Sequence, residues 1–203
     1  LQEASGVAPS VGVFIDYQNV HMSAHEQFCS WGESPDKCIL DPLRLAETVV
    51  NKRAPGGVLA AVWAYRGRAD PRKQPRLTAA TDKQFQAWIQ DSRVNVKRRP
   101  LRYPPDYGQQ GCVEAPREKG IDVSLAVDLV RAGLEQRYDV IILMSRDTDL
   151  MPAVEMVFTL PKAHIEVATW AGATRLRSSG GQRLWCHMLS EDDWKACIDH
   201  RPY

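Results

Sequence analysis

Apolar residues in this chain fall into short unbroken runs, separated by stretches with helical spacing. VGVFID (11–16) reads as a buried strand ending on a carboxylate, and GVLAAVWAYRG (57–67) as a second. VNVKRRPLRY (94–103) reads as a third strand entering a basic turn. YDVIILMS (138–145) is the strongest strand, and HIEVATW (164–170) and RLWCHML (183–189) are two more. Between them, DPLRLAETVVNKRA (41–54) has Asp41 as N-cap and Pro42 at the first helical position. Residues 69–91 begin as loop and turn helical near Thr81, where Phe85, Trp88 and Ile89 share a face. GIDVSLAVDLVRAGLEQR (120–137) is an amphipathic helix, and TDLMPAVEMVFTL (148–160) a helix with Pro152 in its first turn. Residues 17–40 read as a loop or short helix, and 104–118, rich in Pro and Gly, as an exposed loop.

Continuous apolar strands alternating with helices predict an α/β fold, a three-layer sandwich with a central, mainly parallel sheet. The 203 residues suit one domain over 10–203 behind a short tail at 1–9. No apolar run reaches the length of a membrane span, and the opening LQEASGVAPS has no basic and apolar regions of a signal peptide. Five cysteines, odd in number and without a CxxC, suggest reduced thiols and a cytoplasmic setting, with a Cys29–Cys38 bridge as the less favoured alternative.

The net charge of +1 hides an asymmetry. Residues 52–119 hold fifteen basic and six acidic side chains, whereas residues 1–51 hold two basic and seven acidic. A basic middle beside acidic ends suits a phosphate-attracting surface next to an acidic pocket, or else a solvated arginine-rich face.

In a doubly wound sheet, functional groups collect at the carboxyl ends of the strands. Asp16 closes the first strand, Asp147 and Asp149 follow the strand 138–145, and Asp122 opens the helix 120–137, so all four acids are expected on one rim. Plainer readings exist as well: Asp149 or Thr148 as the cap of the helix to 160, Asp122 as a dipole partner in the first turn of its own helix, and Asp16 as an acceptor for turn amides. Together the four acids point to a hard divalent cation, which relieves the repulsion among bunched carboxylates and suits phosphodiester hydrolysis.

FIDYQNV (14–20), KGIDVSLAVDLV (119–130) and DVIILMSRDTDLMPAV (139–154) resemble, in order, the three signature blocks of NYN-domain proteins, the LabA-like branch of the PIN-like nuclease superfamily. The resemblance covers roughly residues 10–170 and implies a Rossmann-like PIN fold, a Mg²⁺ or Mn²⁺ site and single-stranded RNA as substrate. By position it implies Asp16, Asp122, Asp147 and Asp149 as catalytic metal ligands, Asn19 as a polar partner and Ser145 in support. The family commonly has Gly where this chain has Arg146, and Phe where it has Leu150. Arg146 either grips phosphate or crowds the metal.

The basic stretches YRGRADPRKQPR (65–76) and KRRPLRY (97–103) follow strand ends and are expected to flank the rim. Arg66, Arg68, Lys97, Arg98 and Arg99, with Lys119 and Arg146, are the candidate phosphate contacts, and Tyr65 or Tyr103 the candidate base stackers. Asp128 reads as salt-bridged in preference to a ligand. His21, His25 and Cys29 form an i, i+4 series whose use by zinc needs further ligands. The chain lacks G-x-S-x-G, G-x-G-x-x-G and G-x-x-x-x-G-K, against serine hydrolase, dinucleotide and P-loop chemistry. A phosphoaspartyl phosphatase needs an acidic pair after the first strand, where only Asp16 stands.

The expectation is a metal-dependent ribonuclease leaving 5′-phosphate and 3′-hydroxyl ends, as the resemblance implies. A homo-oligomer is compatible with it. The alternatives are a catalytically weak RNA-binding regulatory module, favoured by Arg146, and a DNA-directed nuclease.

Overall fold

In the computed structural model, which describes residues 8–178, 180–181 and 183–203, six parallel strands form one sheet. They are β1 (Ser10–Asp16), β2 (Val58–Arg68), β3 (Val94–Pro100), β4 (Val140–Met144), β5 (His164–Trp170) and β6 (Cys186–Leu189). Their order across the sheet is β3-β2-β1-β4-β5-β6. Most of the expected tail, residues 1–7, lies outside the described residues.

Strand periodicity explains the two cores. Val11, Val13 and Ile15 of β1 point to one face, with Ile142 and Met144 of β4. Phe14 points to the other, with Ile141 and Leu143. The first face is covered by α1 (Tyr17–Phe28), α2 (Pro42–Asn51), Trp88 of α3 (Pro75–Trp88) and α6 (Glu191–Cys197). The second is covered by α4 (Ile121–Leu134) and α5 (Met151–Phe158). The expected three-layer α/β sandwich is therefore present.

Gly12 is needed in β1 because a Cβ there would run into the ring of Tyr138, which packs edge-on to Phe14 at 6.3 Å between ring centroids. Among the described residues, no helix is long and apolar enough to cross a membrane.

Three local expectations needed correction. Residues 17–28 form a full helix, because Asp16 caps it and Tyr17, Val20 and Ala24 bury one side; a 3₁₀ turn follows at Pro35–Cys38. Helix α3 starts at Pro75 instead of near Thr81, with proline at the helix start where its missing N–H costs nothing. After β6, which begins at Cys186 and not at 183, α6 was not expected; Ser190 and Asp193 form a reciprocal capping box at its start.

Candidate metal centre

The strand order reverses direction between β1 and β4, and the crevice beyond their carboxyl ends is where open α/β sheets place ligands. Asp16 is the last residue of β1 and lies level with Tyr65 of β2; Met144 ends β4 beside Ile15. The chain leaving β4 therefore carries Ser145, Arg146 and Asp147 directly past Asp16.

One carboxylate oxygen from each of Asp16, Asp122 and Asp147 lies within 4.8 Å of the others. Asp122 enters from α4, whose first turn is set by Gly120 at φ +75°, a left-handed conformation that favours glycine. The three acids line an open basin of about 280 Å³ with Gln18, Asn19, Met22, Glu118 and Arg146.

Asp16 is buried and does two jobs. Its Oδ1 accepts the Asn19 backbone N–H at 3.4 Å, capping α1, and its Oδ2 accepts the Ser145 hydroxyl at 2.9 Å. Burial pushes its carboxyl up to about 7; the Ser145 and Asn19 bonds oppose this, while the charges of Asp122 and Glu118 add to it. Asp122 is pushed up by its own burial and by the charges of Asp147 and Asp149. Asp147 caps the short turn 148–150, its Oδ1 accepting the Asp149 N–H at 2.9 Å. Capping and clustering, alternatives in the sequence, coexist at Asp16 and Asp147.

An all-oxygen donor set with this uncompensated repulsion fits a hard divalent cation. Asp149 stays outside the group of three, exposed on the rim, although its charge reaches Asp122. Asn19 lines the basin with its amide oxygen already accepting the Arg146 backbone N–H at 3.1 Å. The Arg146 guanidinium bonds Glu26 Oε2 at 2.5 Å.

Glu118 is the site residue that sequence reasoning missed. Its carboxylate accepts the Gly67 N–H, and burial raises it, with Asp122 adding to the rise and Arg66 opposing it. Reading 104–118 as plain loop hid it. An antiparallel bridge between Arg102 and Arg117 holds the end of that loop against the basin.

Gln18, Met22 and Glu118 also line a larger neighbouring cleft of about 650 Å³, with Arg66, Gln84 and Arg201 among its polar walls. Arg66 donates to Gln84 Oε1 at 2.7 Å and stands over the Tyr17 ring at 4.9 Å. Of the expected phosphate contacts, only Arg66 and Arg146 line the basin or the cleft. Arg68 and Arg98 share Asp82, Lys97 pairs with Asp128 at 3.6 Å, and Arg99 donates to Ser124 Oγ at 3.2 Å. Lys119 is exposed in an adjoining hollow with Arg102 and Arg117, Glu118 being the wall it shares with the basin.

Tyr65 cannot stack a base. It is fully buried, ring against Phe14, and its hydroxyl donates to Asp128 at 2.8 Å. The Tyr103 hydroxyl is committed to Gln74 Oε1 and the Asp70 N–H, and Lys73 covers its ring at 4.6 Å.

The NYN domain family model matches residues 10–178. The fold is similar to the crystal structure of a protein of unknown function from Vibrio parahaemolyticus. The TM-score is 0.54 and the identity 19%, over 95% of this chain and 98% of that one. No curated protein matches significantly.

Proposed function

The chain belongs to the NYN domain family, and on that premise we propose that it is a metal-dependent ribonuclease of the LabA-like branch, hydrolysing phosphodiester bonds of single-stranded RNA. NYN domains are generally nucleases, so the fold already carries a nuclease expectation. The observation that carries the reading is the convergence of Asp16, Asp122 and Asp147 within 4.8 Å at the switch point of the sheet.

Those three acids would hold Mg²⁺ or Mn²⁺, which supplies charge neutralisation on the scissile phosphate and a water of lowered pKa. The chain's own residues do the positioning. Ser145 fixes the Asp16 carboxylate and Asn19 ties α1 to the loop after β4. Asp149 adds negative charge at the rim, and Glu118 divides the basin from the cleft that would take an adjoining nucleotide. Arg66 and Arg146 are the cations placed to meet backbone phosphates, a largely sequence-blind contact.

The catalytically weak RNA-binding module drew its support from Arg146. With its guanidinium bonded to Glu26, that support weakens. The working picture is a single cytoplasmic domain over residues 10–203.

The purified chain should degrade single-stranded RNA with Mn²⁺ and stop on chelation, while Asp16→Asn and Asp147→Asn lose at least the bulk of the rate. Equal degradation by wild type and both variants overturns the nuclease reading. RNA binding without cleavage selects the module, and preference for single-stranded or branched DNA selects the DNA-directed alternative.

A further inference from the structure

Helix α1 begins on the acidic centre and ends on a second cluster of very different chemistry. Its i, i+4 spacing puts His25 and, just past the helix end, Cys29 on one side. The 3₁₀ turn Pro35–Cys38 brings Cys38 to the same place. One ligand atom from each of His25, Cys29 and Cys38 lies within 4.8 Å of the other two. We propose that these three residues form a binding site for a thiophilic divalent cation of the Zn²⁺ class, distinct from the acidic centre and independent of the nuclease reading.

One nitrogen of the His25 imidazole is already held by a hydrogen bond. His25 Nε2 lies 2.7 Å from the Glu33 carbonyl oxygen, an acceptor only, so Nε2 carries the proton and the free lone pair is on Nδ1. Ligating histidines almost always spend their other nitrogen on such a carbonyl or carboxylate, which fixes tautomer and ring angle. The loop that supplies the carbonyl is itself tied: Glu33 N–H donates to the Ser30 carbonyl at 3.0 Å, and the Ser30 N–H to the Glu33 carboxylate at 3.2 Å.

Burial pushes the Cys38 thiol up to about 12, a cost that two sulfur–metal bonds would have to offset. Both cysteines are unbridged, Cys38 buried and Cys29 partly so. Tetrahedral zinc, with bonds of about 2.0–2.3 Å, needs ligand atoms roughly 3.5–3.8 Å apart. The cluster therefore has to contract by at most about 1 Å, a shift asked of Cys38 at the end of its 3₁₀ turn. Cys38 would give up its thiol contact to the Pro35 carbonyl at 3.4 Å. His21 supports the wall: its Nε2 donates to the same carbonyl at 2.9 Å and stands 4.0 Å from Cys38 Sγ. Three protein ligands leave water in the fourth position, on the side where His25 and Cys29 reach solvent.

Soft donors here and carboxylates at the other end would sort two different metals along one helix. Binding releases two protons to solvent, one from each thiol, as two sulfur–metal bonds form. The site would lock the end of α1 to the turn that follows it.

The test uses the full chain, reduced, stripped with chelator and checked for five titratable thiols. Cobalt(II) chloride is then added stepwise. The expected result is a thiolate-to-cobalt charge-transfer band saturating at one equivalent and erased by one equivalent of Zn²⁺. Asp16→Asn should keep that band, whereas Cys29→Ser and Cys38→Ser should each lose it. A wild-type chain that develops no thiolate band, or a band that survives either cysteine substitution, overturns the proposal. The wild-type titration decides even where a variant fails to fold.

Discussion

The Ser145 hydroxyl donates to Asp16 Oδ2 at 2.9 Å while accepting the Asp147 backbone N–H at 3.1 Å. One small side chain thus sets the distance between two carboxylates whose strands lie on either side of the switch point. Serine is itself buried here, and its hydroxyl has both bonding directions filled.

Ser145→Ala should accordingly weaken the site without emptying it. Outer partners of metal ligands typically contribute about 10–100-fold in affinity or activity. Metal titration followed by an RNA-cleavage assay should show a loss in that range, smaller than that of Asp16→Asn. A rate equal to wild type at limiting Mn²⁺ would remove Ser145 from the site.

The raised carboxyl of Asp16 makes a pH prediction for the metal-free protein. Its folded pKa of about 7 lies above the ordinary 3.8, so the folded state holds a proton that the unfolded chain gives up. Stability from this group is fully present below pH 3.8 and is lost as pH rises to 7, by about 4 kcal/mol. Asp122 and Glu118 are shifted the same way. Denaturant titrations in chelator should therefore show Asp16→Asn more stable than wild type at neutral pH, with much of the slope gone. Buried His21, held down to about 4 from the ordinary 6.5 chiefly by its burial, tilts the curve the opposite way over the same range. The difference between wild type and Asp16→Asn is therefore what decides, and a difference that stays constant between pH 4 and 7 contradicts this.

Glu166 behaves oppositely. It is buried, which raises it, but bonds from His187 and Arg53 outweigh burial and hold it at about 2, below the usual 4.5. Its contribution is present above pH 4.5 and fades as pH falls toward 2. Arg53→Met leaves that carboxylate short of its main cation and should cost about 3–5 kcal/mol at neutral pH. Equilibrium unfolding measures it, and a cost under about 1 kcal/mol would mean that His187 and His164 together suffice.

Arg146→Gly restores the residue commonly found in the family. Its ion pair with Glu26 is exposed, so its removal should cost under about 1 kcal/mol. Because Arg146 lines the basin as a cation placed to meet phosphate, the rate is expected to fall and not to rise. A marked gain in cleavage would show that Arg146 does crowd the metal.

How far the fold was legible depended on where the burial signal lay. Strands β1 and β4 announce themselves because both their faces are covered, which forces unbroken apolar runs. Helix α1 did not, since Gln18, Asn19, His21 and His25 dilute its apolar side and its stability comes from packing on the sheet. The start of α3 lies in a run of charged residues that masks its periodicity, and the signal for α6 is its own capping box, SEDD.

The acids Asp16, Asp122 and Asp147 could be placed from topology alone, because strand ends and helix starts share an edge. The strand order that brings β4 beside β1 could not, being a matter of long-range pairing. Tyr65 is masked by its neighbours: the basic residues after it suggest a surface, yet its register puts it beside Asp16 with its ring against Phe14. Glu118 was overlooked because its position is fixed by the Arg102–Arg117 bridge, which no local pattern records.

The order of the strands also has a temporal side. β1 is the first strand in the chain, yet one of its two neighbours in the sheet, β4, lies about 130 residues further on. Asp16 therefore leaves the ribosome long before Asp122 and Asp147 exist to join it. Such distant pairings close late, after the cost of ordering the intervening chain has been met. On the nuclease reading, a nascent chain surrounded by ribosomal and messenger RNA has no assembled cutting site until synthesis has passed Asp147. Synthesis order alone would then protect the translation machinery that makes it.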